Sequence, residues 1–430
     1  MIVMKFGGTS VGSAERIQQV AKIIQSKLDE KPVVVLSAVG GVTDMLLEAA
    51  TGKIDLAGIR KKHTQIVSSL GISEEVLSEL DELETFVKKV GTPDATQMDT
   101  IVSFGERLST KILAAYLVKE GIAATAHNAY DIGMQTDSTP TEAELLPESY
   151  IELEKNLSSV TDVPIVTGFI GKSEEGVITT FGRGGSDYTA AIIGAALAVS
   201  EIQIWTDVTG VMSADPRIVK DAHTISEISY DEAAELSYFG AKVLHPKTIL
   251  PAVDHSIPVV VLNTLEPTSA GTRVVSMVKQ SKGIVKAISS KKGITVVNVS
   301  TSRMMAAPGF LADLFTIFAK HKISVDMLAT SEVSVSLTVD NGDLLGPAIT
   351  ELEALGDVTV KPNNAIIIVV GEGLKQKIGK AAPIFDILSD NKIHVEMISQ
   401  GASEINIGFV IEEKDVEKAV KVLHKHYFGG

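Results

Sequence analysis

A chain of 430 residues with 45% apolar side chains has the material for two or three separate cores. Its 54 acidic against 39 basic residues leave a net charge of -15, which opposes binding to a nucleic-acid backbone or an anionic membrane surface. Without cysteine, disulfides, thiolate nucleophiles and cysteine zinc sites are excluded, and the nine histidines show no metal-ligand spacing.

The amino terminus, Met1-Ile-Val-Met-Lys-Phe6, reads as a strand entering Gly7-Gly8, without the basic start, long apolar core and cleavage site of an export signal. A cytoplasmic location is the expectation. Up to about Val278, short β-branched runs alternate with helical patterns, which predicts a mostly parallel sheet covered by helices on both faces. Strands are expected at Ile2–Phe6, Pro32–Ser37, Pro164–Thr167, Ile202–Thr206 and Pro258–Leu262. Helical spacing of Ile17, Val20, Ala21 and Ile24 predicts a helix over Glu15–Lys27, and Ile59–Val90 reads as one charged helical excursion. The uncharged apolar run Ala190–Val199 is shorter than the ~20 residues of a membrane span and reads as a buried helix.

Turn-forming residues over Glu266–Arg273 mark the expected exit from this domain. Beyond it, Lys322-Ile-Ser-Val-Asp-Met327 recurs as Lys392-Ile-His-Val-Glu-Met397, each after an apolar helix and before an alternating strand. With Gly293–Ser300, Phe310–Lys320, Ser334–Val339 and Leu344–Leu355, the order strand, helix, strand, strand, helix, strand predicts two ferredoxin-like α+β modules. The expected division is 1–278, 279–362 and 363–430, with exchange of strands between the last two left open.

Two glycine-rich turns follow strands in the first domain. Lys5-Phe-Gly-Gly-Thr-Ser10 lets the backbone approach an anion that the Lys5 ammonium can also reach; the alternative is a tight turn with a solvated lysine, and the strand-turn-helix context favours phosphate. Phe181-Gly-Arg-Gly-Gly-Ser-Asp-Tyr188 carries Arg183, whose fork suits a carboxylate or phosphate, while Ser186 and Asp187 are natural caps for a following helix; a capped turn with a solvated arginine is nearly as good an account. Two such turns at strand ends of one sheet mark the edge where ligands bind. Gly168-Phe-Ile-Gly171-Lys172-Ser173 is too short between its glycines for a phosphate loop and leads into a strand, so Lys172 reads as a surface turn residue. Protein-kinase signatures are absent. Glu106 and Arg107 are placed at the start of an apolar helix, where the dipole alone favours an acid. Asp207 ends a strand, Asp215-Pro-Arg217 follows a turn and reads either as a magnesium and phosphate site or as a loop stapled by an ion pair, and Lys242 sits at a helix end.

In this order, KFGGTS at 5–10, the 37–43 loop, SFGER at 103–107, TGFIG at 167–171, GRGGSDYTA at 182–190, WTDVTGV at 205–211, DPR at 215–217 and FGAKVLHP at 239–246 resemble aspartate kinases over essentially the whole chain. The resemblance implies an amino-acid-kinase α/β/α three-layer sandwich followed by two ACT modules. It further implies transfer of the γ-phosphate of ATP, carried with Mg²⁺, to the β-carboxylate of L-aspartate. By resemblance Lys5, Lys242 and Asp207 are catalytic, and Ser37, Thr43, Glu106, Arg183 and Ser186 bind aspartate, Glu106 its ammonium and Arg183 its α-carboxylate. Lys5, Gly7, Gly8, Asp187, Thr206, Asp207, Met212, Arg217 and Lys242 would hold the nucleotide; Met212 departs from the tyrosine many members carry.

In the regulatory third, Met304, Ala307, Gly309, Phe310, Leu311, Val325, Asp326, Thr330, Ser331 and Glu332 resemble the effector site of lysine-sensitive members, with Asp326 and Glu332 suited to the ammonium groups of lysine. Ala307 and Pro308 stand where serine and arginine are commoner, which keeps threonine as the alternative effector. A homodimer or tetramer through the ACT modules is implied. The competing expectations are a sister amino-acid kinase acting on another acceptor and an inactive amino-acid sensor. A fused homoserine dehydrogenase is not expected, since the chain ends at Gly430, shortly after the second module.

Overall fold

The computed structural model describes residues 1–239, 244, 246–278, 283–305, 308–340, 342, 345–375 and 377–429. They form two compact units: Met1–Val211, Ser226–Tyr230 and Val243–Met277 make the first; Met212–Ile225, Asp231–Lys242 and Val278–Gly430 make the second. The expected 1–278 domain is thus interrupted, because two of its stretches pack with the regulatory part.

In chain order the first part contains β1 (Ile2–Phe6), α1 (Ala14–Gln25), β2 (Pro32–Leu36), α2 (Val42–Leu47), α3 (Leu56–Leu70), α4 (Ser78–Val90), α5 (Ala95–Lys119), β3 (Ala124–His127), β4 (Gln135–Thr136) and α6 (Ser149–Leu157). There follow β5 (Val163–Thr167), β6 (Ile170–Ser173), β7 (Ile178–Thr180), α7 (Gly185–Ala196), β8 (Glu201–Thr206), β9 (Glu227–Ser229), α8 (Tyr230–Tyr238), α9 (Leu250–Asp254), β10 (Val259–Asn263) and β11 (Thr272–Val275). Eight strands form one sheet in the order β3-β5-β2-β1-β8-β10-β11-β9. From β3 to β10 all neighbours are parallel, and β11 turns back antiparallel to β10. Alternation along β1 decides what each residue meets. Ile2, Met4 and Phe6 join the core built with α1 to α5, which turns Lys5 to the other face, where α7 lies.

Several expectations are corrected. The excursion over 59–90 is two helices, α3 ending at its Gly71 cap and α4 beginning at Ser78. Helix α5 starts at a capping box in which Asp94 and Gln97 exchange side-chain and backbone hydrogen bonds, so Glu106 and Arg107 lie mid-helix and not at its start. Helix α7 begins at Gly185 with Gly184 as its cap, which places Ser186 and Asp187 within the first turn instead of in capping positions. The turn at 266–271 joins β10 to β11 inside the sheet, so the exit lies after it. Lys172 belongs to β6, its ammonium 3.9 Å from the centre of the Tyr130 ring.

The second unit is built on β12 (Ala287–Ser300), α10 (Phe310–Lys320), β13 (Val325–Thr330), β14 (Ser334–Val339), α11 (Leu345–Leu352), β15 (Asp357–Val370), α12 (Ala382–Asp390), β16 (Met397–Ser399), β17 (Asn406–Glu412) and α13 (Val416–Phe428). Its six strands run β13-β14-β12-β15-β17-β16. The two central strands, 14 residues each, pair along both halves: Thr295–Ser300 lies between β14 and 357–361, whereas Ala287–Lys292 pairs with 365–370. Each half covers its own core, Leu314, Phe318 and Leu345 over Val297 and Leu337 in one, Ile384, Leu388 and Leu423 over Ile367 and Phe409 in the other. The internal repeat is visible in the backbone, since Lys322 and Lys392 both take left-handed conformations, φ 54° and 56°, just after their helices.

Candidate active site

The carboxyl ends of the parallel strands bring the first unit's polar residues together, as expected for an open α/β sheet. Lys5 is next to last in β1, Ser37 follows β2, Gly168 follows β5, and the loop after β7 runs into α7. A cavity of about 440 Å³ opens there, lined by Lys5, Ser37, Thr43, Glu106, Arg183, Ser186 and Asp187 among others. These seven are the expected acceptor-side residues together with two from the nucleotide set.

Lys5 Nζ lies 2.6 Å from Asp187 Oδ1, both side chains mostly enclosed, so α7 fixes the ammonium at the cavity wall. Gly7 and Gly8 continue from β1; Gly7 donates its N–H to the Trp205 carbonyl. A side chain at Gly8 would begin 2.9 Å from the Ala38 carbonyl oxygen, so only glycine lets this turn approach the loop after β2. That loop in turn donates the Ala38 N–H to Glu106 Oε1, at 3.0 Å. The other Glu106 oxygen, Oε2, is buried without a hydrogen-bond partner among the described residues. Burial pushes the carboxyl up to about 8, against the smaller opposing pull of the Ala38 N–H and of Lys5. A buried acceptor with one unmet oxygen on a ligand-sized cavity is a seat for a cationic donor.

Arg107, one residue on, projects away: its guanidinium pairs with Glu79 and Glu82 and lies 4.2 Å from the Phe104 ring centre. Neighbours on a helix point roughly 100° apart, and only one of the pair can face the cavity. Arg183 is exposed on its loop.

Thr206 ends β8, which pairs with β1, and Asp207 follows it, the two joined by a 3.2 Å side-chain hydrogen bond. Met212 and Arg217 belong to the second unit. Met212 bridges to Thr224, and the Arg217 fork folds back on Asp215 with its Nη2 2.7 Å from Oδ2, the stapled-loop alternative. Lys242 lies outside the described residues.

Of the effector set, Ala307 lies outside the described residues, and Gly309 caps α10. Met304, Phe310 and Val325 are half-buried, whereas Leu311, Thr330, Ser331 and Glu332 are exposed. Asp326 departs from expectation: its enclosed carboxylate already meets Lys291 Nζ at 3.1 Å and accepts the Tyr238 hydroxyl at 2.7 Å. Burial raises the Asp326 carboxyl, and burial first, then Asp326, pushes the Tyr238 hydroxyl up to about 12. The cavity also has walls that were not foreseen, among them Asp99, Thr141, Phe169 and Thr180. Asp99 precedes Glu106 by two helical turns on one face of α5, a spacing hidden as long as the helix was started at Glu106. Among the described residues no cluster of acids and histidines could hold a metal, and no helix is long and apolar enough to cross a membrane.

Residues 1–263 match the amino acid kinase family, and 297–348 with 367–427 match the ACT domain. Fold and site thus define an amino-acid kinase with ACT modules. The chain is 40% identical to aspartokinase 3, chloroplastic, of Arabidopsis thaliana over 99% of its own length and 81% of that protein. Crystal structures of E. coli aspartokinase III, one with aspartate and ADP in an R-state and one with lysine and aspartate in a T-state, superpose with TM-scores of 0.82 and 0.85 at 34% identity. The first alignment covers 100% of both chains, the second 100% of this chain and 99% of the other. This chain belongs to the aspartokinase family.

Proposed function

We propose that this chain transfers the γ-phosphate of ATP to the β-carboxylate of L-aspartate, giving 4-phospho-L-aspartate and ADP at the head of the route to lysine, threonine and methionine. The observation that carries the reading is the cavity that Glu106, Lys5 and Arg183 line together. A substrate with an ammonium, an α-carboxylate and a second carboxylate matches those three groups in sign. In this reading Glu106 takes the ammonium, Arg183 the α-carboxylate, and Ser37, Thr43 and Ser186 supply neutral hydrogen bonds.

An aspartate carboxylate, ordinary pKa ~3.9, is already ionised at neutral pH and attacks phosphorus without a general base. The barrier to lower is the approach of two anions, so positioning and charge neutralisation carry the chemistry. Lys5, pinned by Asp187, neutralises charge on the transferred group, with the Gly7 and Gly8 backbone beside it and Lys242 assigned to the opposite side. Mg²⁺ arrives as part of the Mg-ATP substrate, carried mainly by the phosphates. Thr206, Asp207, Met212 and Arg217 are assigned to the nucleotide; for Arg217 to meet a phosphate, its fork must leave Asp215.

For regulation, lysine is the effector we favour, because the lysine-bound relative superposes over the whole chain. Since Lys291 already occupies Asp326, the exposed Glu332 is the better partner for an incoming ammonium. We also propose a homodimer or tetramer through the ACT modules and, from composition, the cytoplasm as the compartment.

The test is ADP release from Mg-ATP and aspartate, with hydroxylamine trapping the acyl phosphate, alone and with lysine or threonine. Aspartate-dependent hydroxamate suppressed by lysine is expected. Turnover with other acceptors only would refute the reaction, and insensitivity to lysine would refute the effector.

A further inference from the structure

Three donors converge on one buried carboxylate at the cavity wall. Asp99 is 1% exposed. Its Oδ2 accepts the N–H groups of Thr141 and Thr180, at 2.9 and 3.1 Å, and its Oδ1 accepts the Thr180 hydroxyl at 2.9 Å. We propose that Asp99 is a positioning residue for the acceptor: by holding Thr180 and Thr141 it fixes the backbone that presents Arg183 to the cavity. The inference rests on Arg183 binding the acceptor's α-carboxylate, as read above.

Two routes lead from Asp99 to Arg183. Thr180 ends β7 and stands three residues before Arg183, so anchoring both its N–H and its hydroxyl sets where the loop departs. Thr141 works from the other side. It holds a left-handed conformation, φ 65°, uncommon for a β-branched residue, and its carbonyl oxygen is 2.9 Å from where a side chain on Gly182 would begin. Gly182, itself at φ 68°, therefore rests directly against the segment that Asp99 anchors. A 2.9 Å hydrogen bond from the Ala143 N–H to the Thr180 carbonyl locks the two segments together.

The three bonds need acceptors at both oxygens. An asparagine carbonyl could keep the two N–H groups, but its NH₂ would face the Thr180 hydroxyl, which would have to turn and accept; only removal of the carboxylate breaks all three bonds. All three donors are neutral groups. Burial raises the carboxyl while the threonine donors pull it back. Glu106 is held separately by Ala38, so loosening Asp99 perturbs the carboxylate end of the site and spares the ammonium end.

The test compares Asp99→Ala, Thr180→Val and Thr180→Ser with wild type by kcat, both KM values, thermal midpoint and amide exchange of the ligand-free enzyme. Asp99→Ala should raise KM for aspartate about tenfold or more and leave KM for Mg-ATP within about twofold. Thr180→Val, which deletes one of the three bonds, should raise KM for aspartate roughly threefold, and Thr180→Ser, which keeps the hydroxyl, should restore it. Amides in 137–146 and 181–187 should exchange faster in Asp99→Ala. If that variant does not fold, the two Thr180 variants decide alone. An unchanged KM for aspartate in Thr180→Val, or equal rises in both KM values, would overturn the proposal, since a merely structural role lowers the amount of active enzyme without separating the substrates. A wild type without aspartate-dependent ADP release would instead overturn the functional reading before any variant is compared, and the exchange rates would still judge the anchoring.

Discussion

The Glu106 carboxyl should act as a proton gate for aspartate. Moving its pKa from 4.5 to about 8, a difference of 3.5, disfavours the charged form by roughly 5 kcal/mol at about 1.4 kcal/mol per tenfold. At pH 7 only about a tenth of ligand-free molecules then carry it ionised. An ammonium seated on the unmet Oε2 supplies the missing charge, so binding should expel about 0.9 proton at pH 7 and about 0.1 at pH 9. Calorimetry of aspartate binding in two buffers of unequal ionisation heat counts that proton directly. In parallel, kcat/KM for aspartate should climb about tenfold per pH unit below 7 and level off above 8. Glu106→Gln keeps the shape and cannot ionise, so its profile should be flat and its aspartate affinity low at every pH. Stability carries the opposite sign. The folded chain holds this proton more tightly than the unfolded chain, so Glu106 costs stability progressively as pH rises from about 4.5 to about 8. The glutamine variant should therefore melt higher than wild type at pH 8.5 and not at pH 4.5. No proton release at pH 7 together with a flat wild-type profile would refute the assignment.

Lys5→Ala should lower kcat roughly a hundredfold or more while calorimetric aspartate binding persists, because the ammonium is asked to act on the transferred charge; near-normal turnover would remove Lys5 from the chemistry. Glu79, 4% exposed and paired with both Arg107 and Lys111, is structural in this account. Its replacement by glutamine should cost about 3 kcal/mol in denaturant titration, with both KM values of the folded fraction unchanged.

What was legible in the sequence was local. The β-branched runs at 2–6, 32–36 and 259–263 and the glycine-rich turns at 7–8 and 182–185 declare strand ends, and a parallel sheet sends such ends to one edge, so the sequence places the turns of Lys5 and Arg183 on one edge. Where helices begin was harder. The start of α5 depends on a capping box at Asp94 and Gln97, nine and six residues before the SFGER segment, and without it the face that carries both Asp99 and Glu106 is not apparent. The start of α7 depends on Gly184 in a left-handed conformation, so the polar pair Ser186 and Asp187 looked like caps.

Long-range pairing was not legible at all, because nothing local encodes it. Asp326 looks like a free acid in its own segment and becomes occupied only through Lys291 on β12 and Tyr238 on α8. Asp99 has no local signature either; its three donors come from residues 141 and 180, brought to it by the fold. The same distance explains why the two acids should answer differently to mutation. Asp326 faces a cation, so neutralising it strands Lys291 between fewer charges, whereas the three donors on Asp99 are neutral, so removing its carboxylate leaves geometry as the loss. A stability measurement alone would rank Asp326 above Asp99, and only the aspartate KM would reverse that order.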